Sequence, residues 1–229
     1  LLAEIDKNLK RSNTGFFSLL ASNKTLLLKS NHDNSRLMNL FCGNFLDAFF
    51  IFMILLRMKY IYLLRHAKSS WTNPLLKDHD RPLSDRGIKA CHKIETFVSQ
   101  NKIIPEIAYV SSSQRTISTY ELIFKRKLYP NVLISIDKTI YLCDSKLLKE
   151  RIINTDNKFN HLLIVNHEPT IRKLTLELSE NSKKMRFKND VSLKYPTCSL
   201  AILKLNSDNW YDSKKNNCEL INFIKPKDL

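Results

Sequence analysis

The chain has 229 residues, 43% hydrophobic and 26% charged, which excludes wholesale disorder and suits one medium domain with or without an appendage. It holds only 3 Gly, and Gly87 alone follows residue 43, so neither a G-x-x-x-x-G-K phosphate loop nor a G-x-G-x-x-G dinucleotide turn can be built. The net charge of +15 favours anionic partners but is scattered. Its richest runs, Lys125-Arg126-Lys127 and Lys183-Lys184, are short, and no aromatic platform lies beside a basic stripe. A solvated lysine-rich surface is therefore preferred over a nucleic-acid patch.

Residues 1–57 are rich in Asn, Ser and Lys and show no clean period. They end in an apolar run, 48–56, that is too short for a membrane span, which needs about 20 residues, and too far from the N-terminus for a signal peptide. Three readings stay open. The stretch is upstream sequence with Met58 as the true start, or a loosely ordered extension packing an apolar helix on the domain, or a weak membrane anchor through residues 45–56. The first is preferred, because Met58-Lys59-Tyr60-Ile61-Tyr62-Leu63-Leu64 opens a clean buried strand. The domain proper is expected over residues 58–229.

Within it, residues 60–64 predict the first strand. Ser84 is a candidate N-cap for a helix running to about Gln100, with Ile88, Cys91, Ile94 and Val98 on its buried face. Residues 107–110 predict a second strand, and about 115–126 a helix. A third strand follows at 132–136, a short helix at 145–153 and a fourth strand at 161–165. Pro169 suits the first turn of a helix running to about Leu178. Residues 198–205 and 220–224 read as late strands forming a hairpin or an edge. Strand and helix in alternation predict a three-layer α/β/α sandwich with a mostly parallel central sheet. Five Cys, an odd number with no C-x-x-C, argue against a zinc knuckle or disulfide framework and for buried thiols in a reducing, cytoplasmic setting.

Ligands of an open parallel sheet bind outside the carboxyl ends of its strands. After the first strand stands Arg65-His66-Ala67-Lys68-Ser69-Ser70-Trp71, after the second Ser111-Ser112-Ser113-Gln114-Arg115-Thr116, after the fourth Asn166-His167-Glu168-Pro169. Two Arg, two His and several hydroxyls, with Glu168 the only carboxylate, form a set suited to an anion. Helix N-termini behind Arg115 and Glu168 add amide donors.

Leu63-Leu64-Arg65-His66-Ala67-Lys68-Ser69-Ser70-Trp71 resembles the strand-end signature of the histidine phosphatase superfamily, with its phosphoglycerate-mutase-like fold. Continued through Asp80-Arg81-Pro82-Leu83-Ser84 and Arg86-Gly87, the pattern resembles the SixA-type phosphohistidine phosphatase branch. Ser112-Ser113-Gln114-Arg115-Thr116 is similar to the family's second Arg turn and His167-Glu168-Pro169 to its second His turn. The resemblance covers roughly residues 58–205. It implies a metal-independent phosphatase without cofactor. His66 would attack phosphorus as nucleophile, and Arg65, Arg115 and His167 would surround the phosphoryl oxygens. Arg81 would also reach the phosphate. The implied partner is a phosphorylated protein carrying phosphohistidine, or else a small phosphorylated substrate.

Two departures stand out. Asn166 occupies the place before the second His where the family usually has Gly, and a left-handed backbone is expected there, since Asn tolerates it best among non-Gly residues. No acid matches the family's proton donor; Asp78, Asp80, Asp144 and Glu168 are the only stand-ins. An imidazole leaves phosphorus more readily than an alkoxide, so this lack favours a phosphohistidine substrate. His79 and His92 read as solvated, Lys68, Ser69 and Trp71 as loop or pocket wall, and Tyr141 and Cys143 as possible pocket lining. The rivals are a small-molecule phosphomonoester phosphatase, a metal-dependent hydrolase built from Asp78, His79, Asp80 and His167, and a non-catalytic phosphate-binding module.

Overall fold

The computed structural model describes residues 58–124, 130–182, 185–205 and 207–229. The extension at 1–57, the basic runs at 125–127 and 183–184, and the expected end of the second helix at 126 lie outside them.

Six strands form one sheet among the described residues, in the order β3-β2-β4-β1-β5-β6. They are β1 (Lys59–Arg65), β2 (Ile107–Ser111), β3 (Leu133–Asp137), β4 (His161–Asn166), β5 (Leu200–Leu205) and β6 (Cys218–Ile224). β1 to β4 run parallel; β5 pairs antiparallel with β1, and β6 with β5, so the late strands are the expected hairpin at an edge. The helices are α1 (Asp85–Gln100), α2 (Gln114–Ile123), α3 (Ser145–Ile153), α4 (Thr170–Leu178) and α5 (Met185–Leu193). The last of these and a 3-10 turn at Trp210–Lys215 had no counterpart in the sequence reading.

Side chains alternate across a strand, so β1 and β4 feed two cores. Ile61, Leu63, Leu162 and Ile164 cluster with Leu148, Ile152, Ile171, Leu174 and Leu178 of α3 and α4. Tyr62, Leu64, Leu163 and Val165 are equally buried and face the other way, toward the layer of α1 and α2, which pack on each other while α2 packs on β2 and β4. Two covered faces explain why these strands read as unbroken apolar runs. Each fully buried aliphatic side chain contributes roughly 1.5–3 kcal/mol relative to exposure.

Ser84 caps α1 as expected, its hydroxyl accepting from the Gly87 amide at 3.2 Å. The buried face differs by one residue: Gly87, Cys91, Ile94 and Val98 are buried, whereas Ile88 is 37% exposed. Gly87 holds the inner position because the chain of the first loop presses on it; a Cβ there would stand 2.3 Å from the Lys68 carbonyl oxygen. The loop after β1 is thus seated directly on the start of α1.

Candidate active site

The strand order sets the site. Arg65 ends β1 in register with Asn166 at the end of β4, and the His66 amide donates to the Asn166 carbonyl at 3.0 Å. The chain therefore leaves two neighbouring parallel strands side by side, which brings the rings of His66 and His167 to 4.9 Å between centroids. β2, on the far side of β4, ends at Ser111, whose hydroxyl oxygen lies 2.8 Å from Nε2 of His167. Arg115, in the first turn of α2, brings Nη2 to 3.4 Å from Nδ1 of His167. A guanidinium only donates, so Nδ1 of His167 is the acceptor, and Nε2 carries the hydrogen given to Ser111.

The tautomer of His66 is fixed in the same way. Its Nδ1 stands 2.8 Å from the Ala67 carbonyl oxygen, which can only accept, so Nδ1 carries the hydrogen and Nε2 presents a lone pair. Burial pushes the His66 imidazole down to about 4, with the charges of Arg115 and Arg65 adding to the fall and the Ala67 contact opposing it. Burial likewise lowers His167 to about 3, helped by His66 and Arg115. Both rings are neutral at pH 7.

Arg65 and Arg115 bring their charge to both rings, and Arg81 reaches the cluster through Asp78. Arg65 donates through Nη1 to the Tyr195 carbonyl, and the Tyr195 hydroxyl in turn donates to the Leu63 carbonyl at 2.7 Å. Burial lowers the pKa of Arg65, whose Nε is buried without a hydrogen-bond acceptor. Arg81 stacks its guanidinium 3.5 Å over the Trp71 ring and buries Nε and Nη1, also without acceptors; the Asp78 carboxylate stands 4.0 Å from Nε, beyond hydrogen-bond reach. Of the three, Arg115 has a carboxylate in hydrogen-bond reach, donating through Nη1 to the Asp78 carbonyl at 2.5 Å and through Nη2 to its carboxylate at 2.9 Å. Tyr141 donates its hydroxyl to the same carboxylate at 2.8 Å and stands edge-on to His167. Burial would raise the Asp78 carboxyl, but the Tyr141 hydrogen bond and the Arg115 charge outweigh it and hold Asp78 below the ordinary carboxylate range.

Two expectations need correction. Asn166 is not left-handed: it is the last residue of β4, and its φ is not among the positive ones. The side chain is what the site uses, for Nδ2 donates to the Ile140 carbonyl at 3.0 Å and Oδ1 accepts from the His167 amide at 2.6 Å. His79 is not simply solvated. Nδ1 stands 2.9 Å from the Asp80 carboxylate and Nε2 2.9 Å from the Ser112 hydroxyl. His92 is exposed on α1, as read. Tyr141 borders the site as expected; Cys143 is half-buried in the next turn, where burial pushes its thiol up to about 11. Sequence reasoning missed the contact of Ser111 with His167 and the grip of Asp78 on Arg115. Ser111 at a strand's carboxyl end was the available signal for the first; the second joins residues 37 apart and had none.

Among the described residues no group of three or more His, Cys, Asp or Glu could hold a metal ion, so Asp78, His79, Asp80 and His167 do not assemble into one. No described helix is long and apolar enough to cross a membrane.

The model of the histidine phosphatase superfamily, branch 1, matches residues 61–137, the stretch that holds Arg65, His66, Arg81 and Arg115. An uncharacterised protein of Mycobacterium leprae is 27% identical over 167 residues, 72% of this chain and all of the relative. A protein of Nakamurella multipartitia assigned as a phosphohistidine phosphatase SixA superposes with a TM-score of 0.63 at 19% identity, covering 74% of this chain and 96% of that one. A protein histidine phosphatase SixA solved with tungstate gives 0.59 at 18%, covering 74% and 98%. The resemblance read from the motifs stands, and the α/β/α fold of this chain is the one these SixA structures have.

Proposed function

We propose that this chain, which carries the motifs and the fold of the histidine phosphatase superfamily, is a phosphatase that forms a covalent phosphohistidine on His66 and acts on phosphohistidine in a protein. The observation that carries the reading is the hydrogen bond from Nδ1 of His66 to Ala67. It leaves Nε2 as an unprotonated nucleophile beside a second imidazole and in the field of Arg65 and Arg115. The acceptor-less N–H groups of Arg65 and Arg81 fit a ligand rich in oxygen lone pairs. The likeness in fold to a SixA solved with tungstate, itself an oxyanion, supports the same class of ligand.

In the first half-reaction the Nε2 lone pair attacks phosphorus. A P–N bond forms as the bond from phosphorus to the donor breaks, and the leaving group departs with its electron pair. Arg65, Arg81 and Arg115 carry the charge on the equatorial oxygens, so no metal is required for that task. Water then attacks phosphorus, the P–N bond breaks with its pair returning to the ring, and inorganic phosphate leaves. The mouth suits a protein rather than a small molecule. Trp71, stacked on Arg81, and Leu142, next to Tyr141, are 63% and 61% exposed, and residues 115–160 supply no lid among the described elements.

The test is a single turnover with a labelled phosphoryl donor in the presence of chelator, quenched in alkali. An alkali-stable, acid-labile label on the wild type that disappears in His66→Ala supports the reading. A label that persists in that variant, or turnover that chelator abolishes, overturns it. Phosphohistidine protein against small phosphomonoesters, compared by kcat/KM, then decides the substrate.

A further inference from the structure

We propose that His79, held between Asp80 and Ser112, is the proton-transfer group of this reaction: it protonates the group leaving phosphorus and then takes the proton of the attacking water. The inference rests on the phosphatase reading above and supplies the acid that the sequence did not.

The hydrogen bonds point one way. Nδ1 of His79 stands 2.9 Å from an Asp80 carboxylate oxygen, which only accepts, so Nδ1 keeps its hydrogen and Nε2 is the nitrogen free to gain and lose one. Nε2 stands 2.9 Å from the Ser112 hydroxyl oxygen, so it is already aimed at an oxygen at transfer distance. A carboxylate behind an imidazole orients the ring and steadies its protonated form, which a group that alternates between acid and base requires.

The placement ties His79 to the phosphoryl cradle on both sides. Asp78, its neighbour in the 3-10 turn Asp78–Asp80, holds Arg115. Ser112, its hydroxyl partner, follows Ser111, which holds His167. The ring meets Tyr141 edge-on at 4.9 Å between centroids, and Tyr141 meets His167 edge-on at 5.3 Å. The side chain is 39% exposed, so it can exchange with water.

Three other candidates are poorly placed for the task. His66 is the nucleophile, and His167 faces the Arg115 guanidinium, which opposes a second proton on that ring, where His79 faces a carboxylate. The Asp78 carboxyl is held ionised by Tyr141 and Arg115 and has no proton to give. The balance then closes. As Nε2 of His66 bonds to phosphorus, the leaving atom takes the bonding pair from phosphorus and the proton from Nε2 of His79. In the second half water adds its oxygen to phosphorus and its proton to the same Nε2, and the P–N pair returns to His66. His79 ends as it began.

The experiment compares phenyl, 4-nitrophenyl and 2,4-dinitrophenyl phosphate as donors to the full chain, following His66 phosphorylation by rapid quench. His79→Gln should slow phenyl phosphate by about 10²–10⁴-fold. Dinitrophenolate leaves without a proton, so the same variant should slow that donor by less than about tenfold. Asp80→Asn, which leaves the imidazole in place, should show the same gradient more weakly. Imidazole added to His79→Gln should restore part of the loss. An equal loss across the three donors would mark His79 as structural, and no loss would make it a bystander; either overturns the assignment. Absence of label on wild-type His66 from these donors and from a phosphohistidine protein alike would instead sink the phosphatase reading, and this proposal with it.

Discussion

The Ala67 peptide is held from both ends: its carbonyl oxygen takes the hydrogen of His66 Nδ1 at 2.8 Å, and its amide donates to Thr119 Oγ1 on α2 at 2.9 Å. Thr119 thus backs the residue that orients the ring of His66, the proposed nucleophile. Thr119→Val keeps the shape and strands a buried amide, which costs about 1–3 kcal/mol. Chemical denaturation should show that loss. Rapid-quench kinetics should show slower His66 phosphorylation with little change in phosphate affinity.

His66 and His167 have folded pKa values near 4 and 3, against about 6.5 in an unfolded chain. Above pH 6.5 neither state binds these protons. As pH falls from about 6.5 toward 4 the unfolded chain takes up protons that the folded one refuses, so stability falls. The two rings interact, so the first proton taken up belongs to the pair. Urea midpoints measured from pH 7 to pH 5 should drop more for the wild type than for His66→Asn or His167→Asn. Parallel curves would contradict the buried neutral pair.

Asp78 occupies Arg115 with a carboxylate, and in the proposed reaction a phosphoryl group would share or take that guanidinium. Two anions on one cation repel. Asp78→Asn should therefore tighten binding of inorganic phosphate or vanadate severalfold, as measured by calorimetry or inhibition constants. Weaker binding would show that Asp78 positions Arg115 more than it competes for it.

Trp71 lies 3.5 Å beneath the Arg81 guanidinium. Cation–π contacts are worth about 0.5–1 kcal/mol when exposed and about 2 kcal/mol when desolvated. Trp71→Ala should weaken phosphate binding by roughly two- to thirtyfold, a change that inhibition by phosphate would reveal. Trp71→Phe should keep most of the affinity.

Much of this architecture was legible because both faces of the central strands are buried, which writes short apolar runs such as Tyr62-Leu63-Leu64 and Leu162-Leu163-Ile164 into the chain. The same sheet logic pointed to Arg65, His66, Arg115 and His167. What stayed hidden depends on contacts between residues far apart. Nothing at Asn166 announces a side chain reaching back to Ile140, and a motif's usual Gly suggested a turn where the backbone is in fact extended. Asp78-His79-Asp80 reads locally as a solvated acidic turn, and only the packing of that turn against α2 shows that it closes on Arg115 and Ser112. The Ile88 misreading has a local cause: a glycine on a helix's inner face looks like a gap in the apolar pattern, when it is there to admit the Lys68 backbone.

β4 is the fourth strand in the chain, yet it lies between the first and the second. A ribosome-bound chain ending before residue 161 holds Arg65, His66 and Arg115 with a gap where β4 belongs. It has no Asn166 carbonyl to seat His66 and no imidazole for Ser111. Such long-range insertion is slow to form. The proposed uptake of a phosphoryl group should therefore begin only when β4 enters the sheet, so a nascent chain that stops short of it carries His66 without its seat.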